Sequence, residues 1–225
     1  MQRFHTPISR TKSSALMRVL DYVPRGYTRF ILGTVAADKL PALLKKFHLR
    51  FGIAATPSQR ITRKQNKLAN AVLAVYAPEG AETVDWVVLF TDGELEVNEK
   101  LQEVMGKVRL QWIGYELTRY ADKGKTKWTW KRPSQRMQEH YTMLNAHLRR
   151  RCWERVAEEL ERLAMQPGFH GVREQSKRLF AHAKQAGYPD TFPKLFYLQK
   201  ISHGEPAEIV IEDDKEFARK GKRAN

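Results

Sequence analysis

The sequence predicts an α+β chain: a ferredoxin-like (βαββαβ) sheet domain with an added β-hairpin, followed by a C-terminal helical segment containing one long helix. Three observations carry that expectation. From Tyr27 to about residue 120, β-branched and aromatic runs alternate with helical apolar stripes in the order strand, helix, strand, strand, helix, strand. Two further strand-like runs flank Asp122-Lys123-Gly124-Lys125, whose glycine suits a tight turn. Then apolar residues recur every three or four positions from Met137 to Leu163.

Taken in order, residues 1–26 read as a basic arm or as a short helix over Ala15–Tyr22, and Pro24-Arg25-Gly26 closes them. Tyr27–Val35 is β-branched and aromatic, so it reads as a buried strand. Ala37–Phe51 places Leu40, Leu43, Leu44, Phe47 and Phe51 on one helical face, with Lys45, Lys46 and Arg50 largely outside it. Arg60–Lys67 reads as a basic connector to strands at Ala69–Tyr76 and Val84–Phe90.

Thr91-Asp92-Gly93-Glu94 matches a capping box and predicts a helix to about Val104. Val108–Tyr120 and Thr126–Lys131 read as the hairpin. Ser134 is the expected cap of the long helix, whose stripe of Met137, Tyr141, Leu144, Leu148, Cys152, Val156, Leu160 and Leu163 spans about 45 Å. A shorter helix over Gly171–Ala186 ends at Gly187, and a strand is possible at Glu208–Ile211. The expected organisation is a basic N-terminal arm over 1–26, the ferredoxin-like domain over 27–132, a helical segment packed on it over 133–204, and a charged tail over 205–225.

The formal charge is +15, from 40 Lys and Arg against 25 Asp and Glu. Residues 1–78 carry 14 basic side chains against 2 acids, and residues 107–136 carry 9 against 2, whereas residues 79–106 hold 8 acids and 1 base. Such asymmetry predicts a cationic face for a polyanion, with RNA or DNA the expected partner and other subunits of a nucleoprotein complex a further one. The single Cys152 excludes an intrachain disulfide and a Cys-rich zinc site. With no apolar run of transmembrane length and no signal-like run after Met1, a cytoplasmic location without a membrane partner is expected.

Four candidate contacts follow. Lys127-Trp128-Thr129-Trp130-Lys131 puts both tryptophans on one strand face, which suits base stacking, with Lys123, Lys125, Lys127 and Lys131 beside phosphates. The plainer alternative makes both tryptophans core residues under the helices. Arg60, Arg63, Lys64 and Lys67 would track a backbone from the connector. Arg149 and Arg150 would do so from the long helix, unless Glu154, Glu158 and Glu159 neutralise that face. Arg173 and Lys177 lie opposite the apolar side of the last helix.

Catalytic and cofactor signatures are missing. There is no His-x-His pair and no Gly-x-x-x-x-Gly-Lys-Ser/Thr loop, and no cofactor is expected. Asp85, Asp92, Glu94 and Glu96 could suggest a two-metal site, but capping and helix-dipole chemistry explain three of them more cheaply. The leading expectation is a binding protein for single-stranded RNA or DNA, or one acting within a ribonucleoprotein complex. One alternative is a metal-independent RNA-processing endonuclease similar, in fold only, to the CRISPR repeat-associated type. Another is a duplex-DNA-binding accessory factor of a mobile element.

Overall fold

A mixed α/β architecture built on two sheets and six helices emerges from the computed structural model, which describes residues 2–95, 99–197 and 205–211. In chain order the first half comprises β1 (Gln2–Ser9), α1 (Lys12–Tyr22), β2 (Arg29–Ala36), α2 (Leu40–Phe51), α3 (Pro57–Gln65), β3 (Ala71–Tyr76), β4 (Thr83–Phe90) and β5 (Gln102–Glu103). The second half comprises β6 (Gln111–Trp112), β7 (Tyr115–Asp122), β8 (Lys125–Lys131), α4 (Ser134–Arg149), α5 (Trp153–Ala164), α6 (His170–Gln185) and β9 (Glu205–Ile211).

The first sheet runs β5-β2-β4-β3-β1-β9. Only the β1–β3 pair is parallel. Central strands β3 and β4 are covered on both sides, which is why they read as apolar runs rather than as alternating ones. Ala15, Leu16 and Val19 of α1 pack on Phe30, Val72, Ala74, Val87 and Leu89 at one face. Leu44, Phe47 and Phe51 of α2 cover Leu73, Val75, Val88 and Phe90 at the other. A one-residue slip of register would exchange the two faces, so this doubly apolar pattern fixes the pairing.

Five expectations are corrected. Residues 1–26 are no free arm: β1 joins the first sheet and α1 buries its apolar side in the core. No helix occupies the described residues between Thr91 and Val104. The Thr91 hydroxyl accepts from the Asn70 N–H at 2.9 Å instead of capping a helix. Glu94 exchanges backbone hydrogen bonds with Lys67 and Ala69, both at 2.8 Å, so pairing to the preceding segment wins over local capping chemistry.

The expected strand over Val108–Tyr120 is broken by a turn at Ile113-Gly114, giving a three-stranded meander of order β6-β7-β8. Its two turns each place two residues at positive φ: Ile113 at 43° and Gly114 at 90°, Lys123 at 49° and Gly124 at 77°. That is the two-residue geometry whose twist matches paired strands. The single long helix is two helices, because Arg151 adopts φ 55° and the chain turns there. The apolar stripe survives the break, since Leu144, Leu148, Val156, Leu160 and Leu163 still share one core with Leu179, Phe180 and Ala183 of α6. Cys152, at the turn, is exposed rather than a core residue.

Strand β8 joins the parts. Trp130 is fully buried in the α1 core, and its indole N–H donates to the Leu16 carbonyl at 3.0 Å. Arg132, just past the strand, is 2% exposed and donates to Gln166 Oε1 (2.6 Å), the Val172 carbonyl (3.1 Å) and Ser176 Oγ (2.8 Å). Gly171 lets α6 approach: a Cβ there would stand 2.6 Å from the Trp130 carbonyl oxygen. Trp130→Ala is expected to cost about 3–5 kcal/mol by opening a cavity between α1 and the second sheet, measured as a lowered urea midpoint with native-like circular dichroism in water.

Candidate nucleic-acid interface

Residues 57–65 form helix α3, not the basic connector read from composition. Thr56 and Gln59 build a reciprocal capping box, at 3.3 and 2.7 Å, and Pro57 fits the first turn. No residue of α3 is buried, so apolar packing does not hold it. Two of its arginines do. Arg60 donates to the carbonyls of Ala55 (2.9 Å) and Ile53 (3.3 Å) and to the Tyr27 hydroxyl (2.7 Å). Arg63 donates twice to the Ala69 carbonyl, at 3.1 and 3.0 Å.

Beside α3 lies a cleft of about 1180 Å³. Its walls include His5 of β1, Arg18 and Tyr22 of α1, His48 of α2, and Arg60 and Arg63, and no carboxylate among the described residues lines it. Arg18 is anchored from below, its Nε donating to the Leu73 carbonyl at 2.7 Å. Burial and then the neighbouring Arg60 charge lower its pKa, while Tyr22 and Asp21 offset part of that shift. Arg18 and Arg25 both lie against the Tyr22 ring, 5.3 and 5.6 Å from its centroid. Carbonyls and a phenol thus fix the orientation of the Arg18, Arg60 and Arg63 guanidiniums, which pre-organises cations for an anion.

His48 closes the cleft floor. It is buried, shares a 3.1 Å hydrogen bond with the Thr6 hydroxyl, and burial brings its pKa down to about 4. It is therefore neutral at pH 7 and contributes shape and hydrogen bonding rather than charge.

The other predicted residues do not gather in this cleft. Lys64 and Lys67 stand exposed on and just beyond α3. Lys123 and Lys125 are exposed at the hairpin tip. Lys127 is held by Asp122 at 2.6 Å and Lys131 by Glu116 at 3.2 Å. Trp130, being wholly buried, offers no face to a base, and Trp128 is packed against the same core with Arg119 4.2 Å above its ring. The stacking platform is corrected to a core ridge for that reason. Arg149 and Arg150 are exposed at the α4–α5 corner. On the same face the i,i+3 pair expected between Arg155 and Glu158 forms at 2.9 Å, whereas Glu159 faces His140 and Arg162. Arg173 lies 4.1 Å from the Tyr197 ring centroid, and Lys177 pairs with Glu174 at 2.7 Å.

Of the acids once weighed as metal ligands, Asp85 accepts from Thr34 at 2.9 Å, Asp92 lies 4.0 Å from Arg29, and Glu96 falls outside the described residues. Sequence reading missed Arg18, Tyr22 and His48. Arg18 and Tyr22 sit four apart on α1, the spacing that lets an arginine lie on a ring, and that was the available signal. A second pocket, of about 520 Å³, is lined by Lys12, Tyr115, Arg136, His140 and Arg162, none of them expected. Among the described residues no helix is long and apolar enough to cross a membrane. Compared with protein-family models, with curated proteins and with solved structures, the chain matches none.

The His48 environment makes a pH prediction. Its folded pKa, about 4, lies below the ordinary value of 6.5, so between those values the unfolded chain holds a proton that the native state refuses. Stability is thus complete above pH 6.5 and falls as the pH drops toward 4, by up to about 3 kcal/mol. Thermal melts from pH 7 to 4 should show the loss, and His48→Gln should flatten it.

Proposed function

We propose that the protein binds nucleic acid and holds the sugar-phosphate backbone of a single strand in the cleft between α1, α2 and α3. The observation carrying this reading is the gathering of three oriented arginines in one cleft whose described lining holds no carboxylate. Recessed guanidiniums are reached by an extended strand more readily than by the convex flank of a duplex. Tyr22 supplies an aromatic edge beside them, and exposed Lys64 and Lys67 extend the positive surface along and beyond α3. The overall charge of +15 supports the same partner class.

The fold reading belongs with this proposal. We read residues 29–103 as a ferredoxin-like sheet in which the described residues between β4 and β5 hold no helix. The order β5-β2-β4-β3, antiparallel throughout, supports that reading, with β1 and β9 added at the β3 edge.

Binding of fluorescent single-stranded RNA and DNA should weaken with salt, with a log–log slope of about −2 for three phosphate contacts. Ser58→Glu with Gln59→Glu places two carboxylates in the exposed first turn of α3. There they favour the helix dipole and preserve the capping box. The doubly substituted protein should melt no lower than the parent yet bind at least about tenfold more weakly at low salt. Salt-insensitive binding, or unchanged affinity in this variant, contradicts the cleft.

A further inference from the structure

We infer that the second pocket is a phosphodiester-transfer site that cleaves RNA, with His140 as the base; this deepens the nucleic-acid-binding reading and rests on it. The pocket, of about 520 Å³, lies where the second sheet meets α4 and α5. His140 and Glu159 form a buried pair there, 2.8 Å apart, and Arg162 bonds the second carboxylate oxygen. Burial pushes the Glu159 carboxyl up, but the hydrogen bonds and charges of His140 and Arg162 outweigh it and leave its pKa lowered. An ionised Glu159 can only accept, so in the neutral form of His140 the proton sits on Nδ1 and Nε2 is left as an acceptor.

Among the described residues that nitrogen has no hydrogen-bond partner, although His140 is only 9% exposed and lines the pocket. A base oriented by a carboxylate and lining a cavity is an arrangement general-base chemistry uses. Cations complete it. Lys12 and Arg136 line the same pocket, as does Glu139, and no ion pair of either cation is found among the described residues. Tyr115 also lines it, its phenol raised in pKa by burial and partly offset by Arg132 and Arg136. The adjoining wall is the Ile113-Gly114 turn, where a β-branched residue is held at φ 43°. Such strain is costly and tends to persist where surrounding structure enforces a site.

The reaction assigned is transesterification within RNA. Nε2 of His140 takes the proton of a ribose 2′-hydroxyl, and the 2′-oxygen bonds to the adjacent phosphorus. The bond from phosphorus to the 5′-oxygen breaks, and that oxygen takes the Tyr115 hydroxyl proton. Arg136 and Lys12 balance the charge growing on the phosphoryl oxygens. The imidazolium then returns its proton to the Tyr115 phenolate through solvent. The products are a 2′,3′-cyclic phosphate and a 5′-hydroxyl, and no oxidant, reductant or external nucleophile is consumed. Glu159 acts as a positioning residue through His140.

The test uses the full chain, a randomised pool of labelled single-stranded RNA, and EDTA throughout, with product ends identified by mass spectrometry and binding measured in parallel. Cleavage to cyclic-phosphate and 5′-hydroxyl ends is expected, with none in the matching DNA pool. His140→Gln should lower the rate about 10²–10⁴-fold with RNA affinity retained, and exposed Arg136→Ala should slow it without shifting the melting temperature. Glu159→Gln should lower kcat at least about tenfold with KM held, whereas a merely structural role would change both. RNA that is bound but stays intact overturns this inference and leaves the binding cleft standing. Cutting that needs an added divalent cation, or survives both His140→Gln and Arg136→Ala, also overturns it. Absence of binding as well as cutting removes both readings.

Discussion

Everything in the second half of the molecule depends on where Trp130 is seated. Its ring fills the core beneath α1, and its one polar atom is satisfied by the Leu16 carbonyl, so the second sheet cannot slide without exposing an indole and orphaning its N–H. Two residues further on, Arg132 reaches into the helices through neutral acceptors on the segments flanking and opening α6. Burial lowers its pKa to about 10, still far above neutrality, so it stays a cation inside the joint. A cation held this way is expensive to bury, and its hydrogen bonds supply geometry as much as stability. One short strand therefore fixes α1, the meander and the helical cluster relative to one another.

That joint is what allows two separate positive concavities. The first draws on β1, α1, α2 and α3, all of which pack on or beside the large sheet. The second draws on the start of α1, the first turn of the meander, α4 and α5, which meet only because β8 bridges them. A third hollow, of about 570 Å³, opens on the other side of Arg132 between the meander and α6, with Tyr120 stacked on His170 at 3.9 Å. The positive charge is thus divided among distinct recesses rather than collected into one continuous groove joining the α3 arginines to the hairpin lysines.

Much of the architecture was legible from side-chain periodicity. The strands β2, β3, β4 and β8 and the helices α2 and α6 fall within a few residues of their expected positions, because each carries an apolar pattern that local sequence displays. The failures share a cause. The helix expected after Thr91 had good capping chemistry, but a backbone partner at Lys67–Ala69 was invisible to local reading. The break at Arg151 has no glycine or proline to announce it. Missing it hid the pair of His140 and Glu159, which lie ten and nine residues on either side of Arg150. The tryptophans show the opposite error: alternation correctly put Trp128 and Trp130 on one face, but nothing in a strand says which face meets solvent.

Gly93 holds one more consequence. Its φ is 124°, and a Cβ there would fall 2.7 to 2.8 Å from backbone atoms of Lys67, Leu68 and Ala69, while Arg29 clasps the carbonyls of Thr91 and Gly93. The carbonyl of Ala69 is also the acceptor that steers the Arg63 guanidinium. The bend at Gly93 is therefore a distant set-screw on the cleft. Any side chain added there presses on the rail to which Arg63 is fastened, so the aim of that arginine is governed by a residue thirty positions away that never meets the ligand.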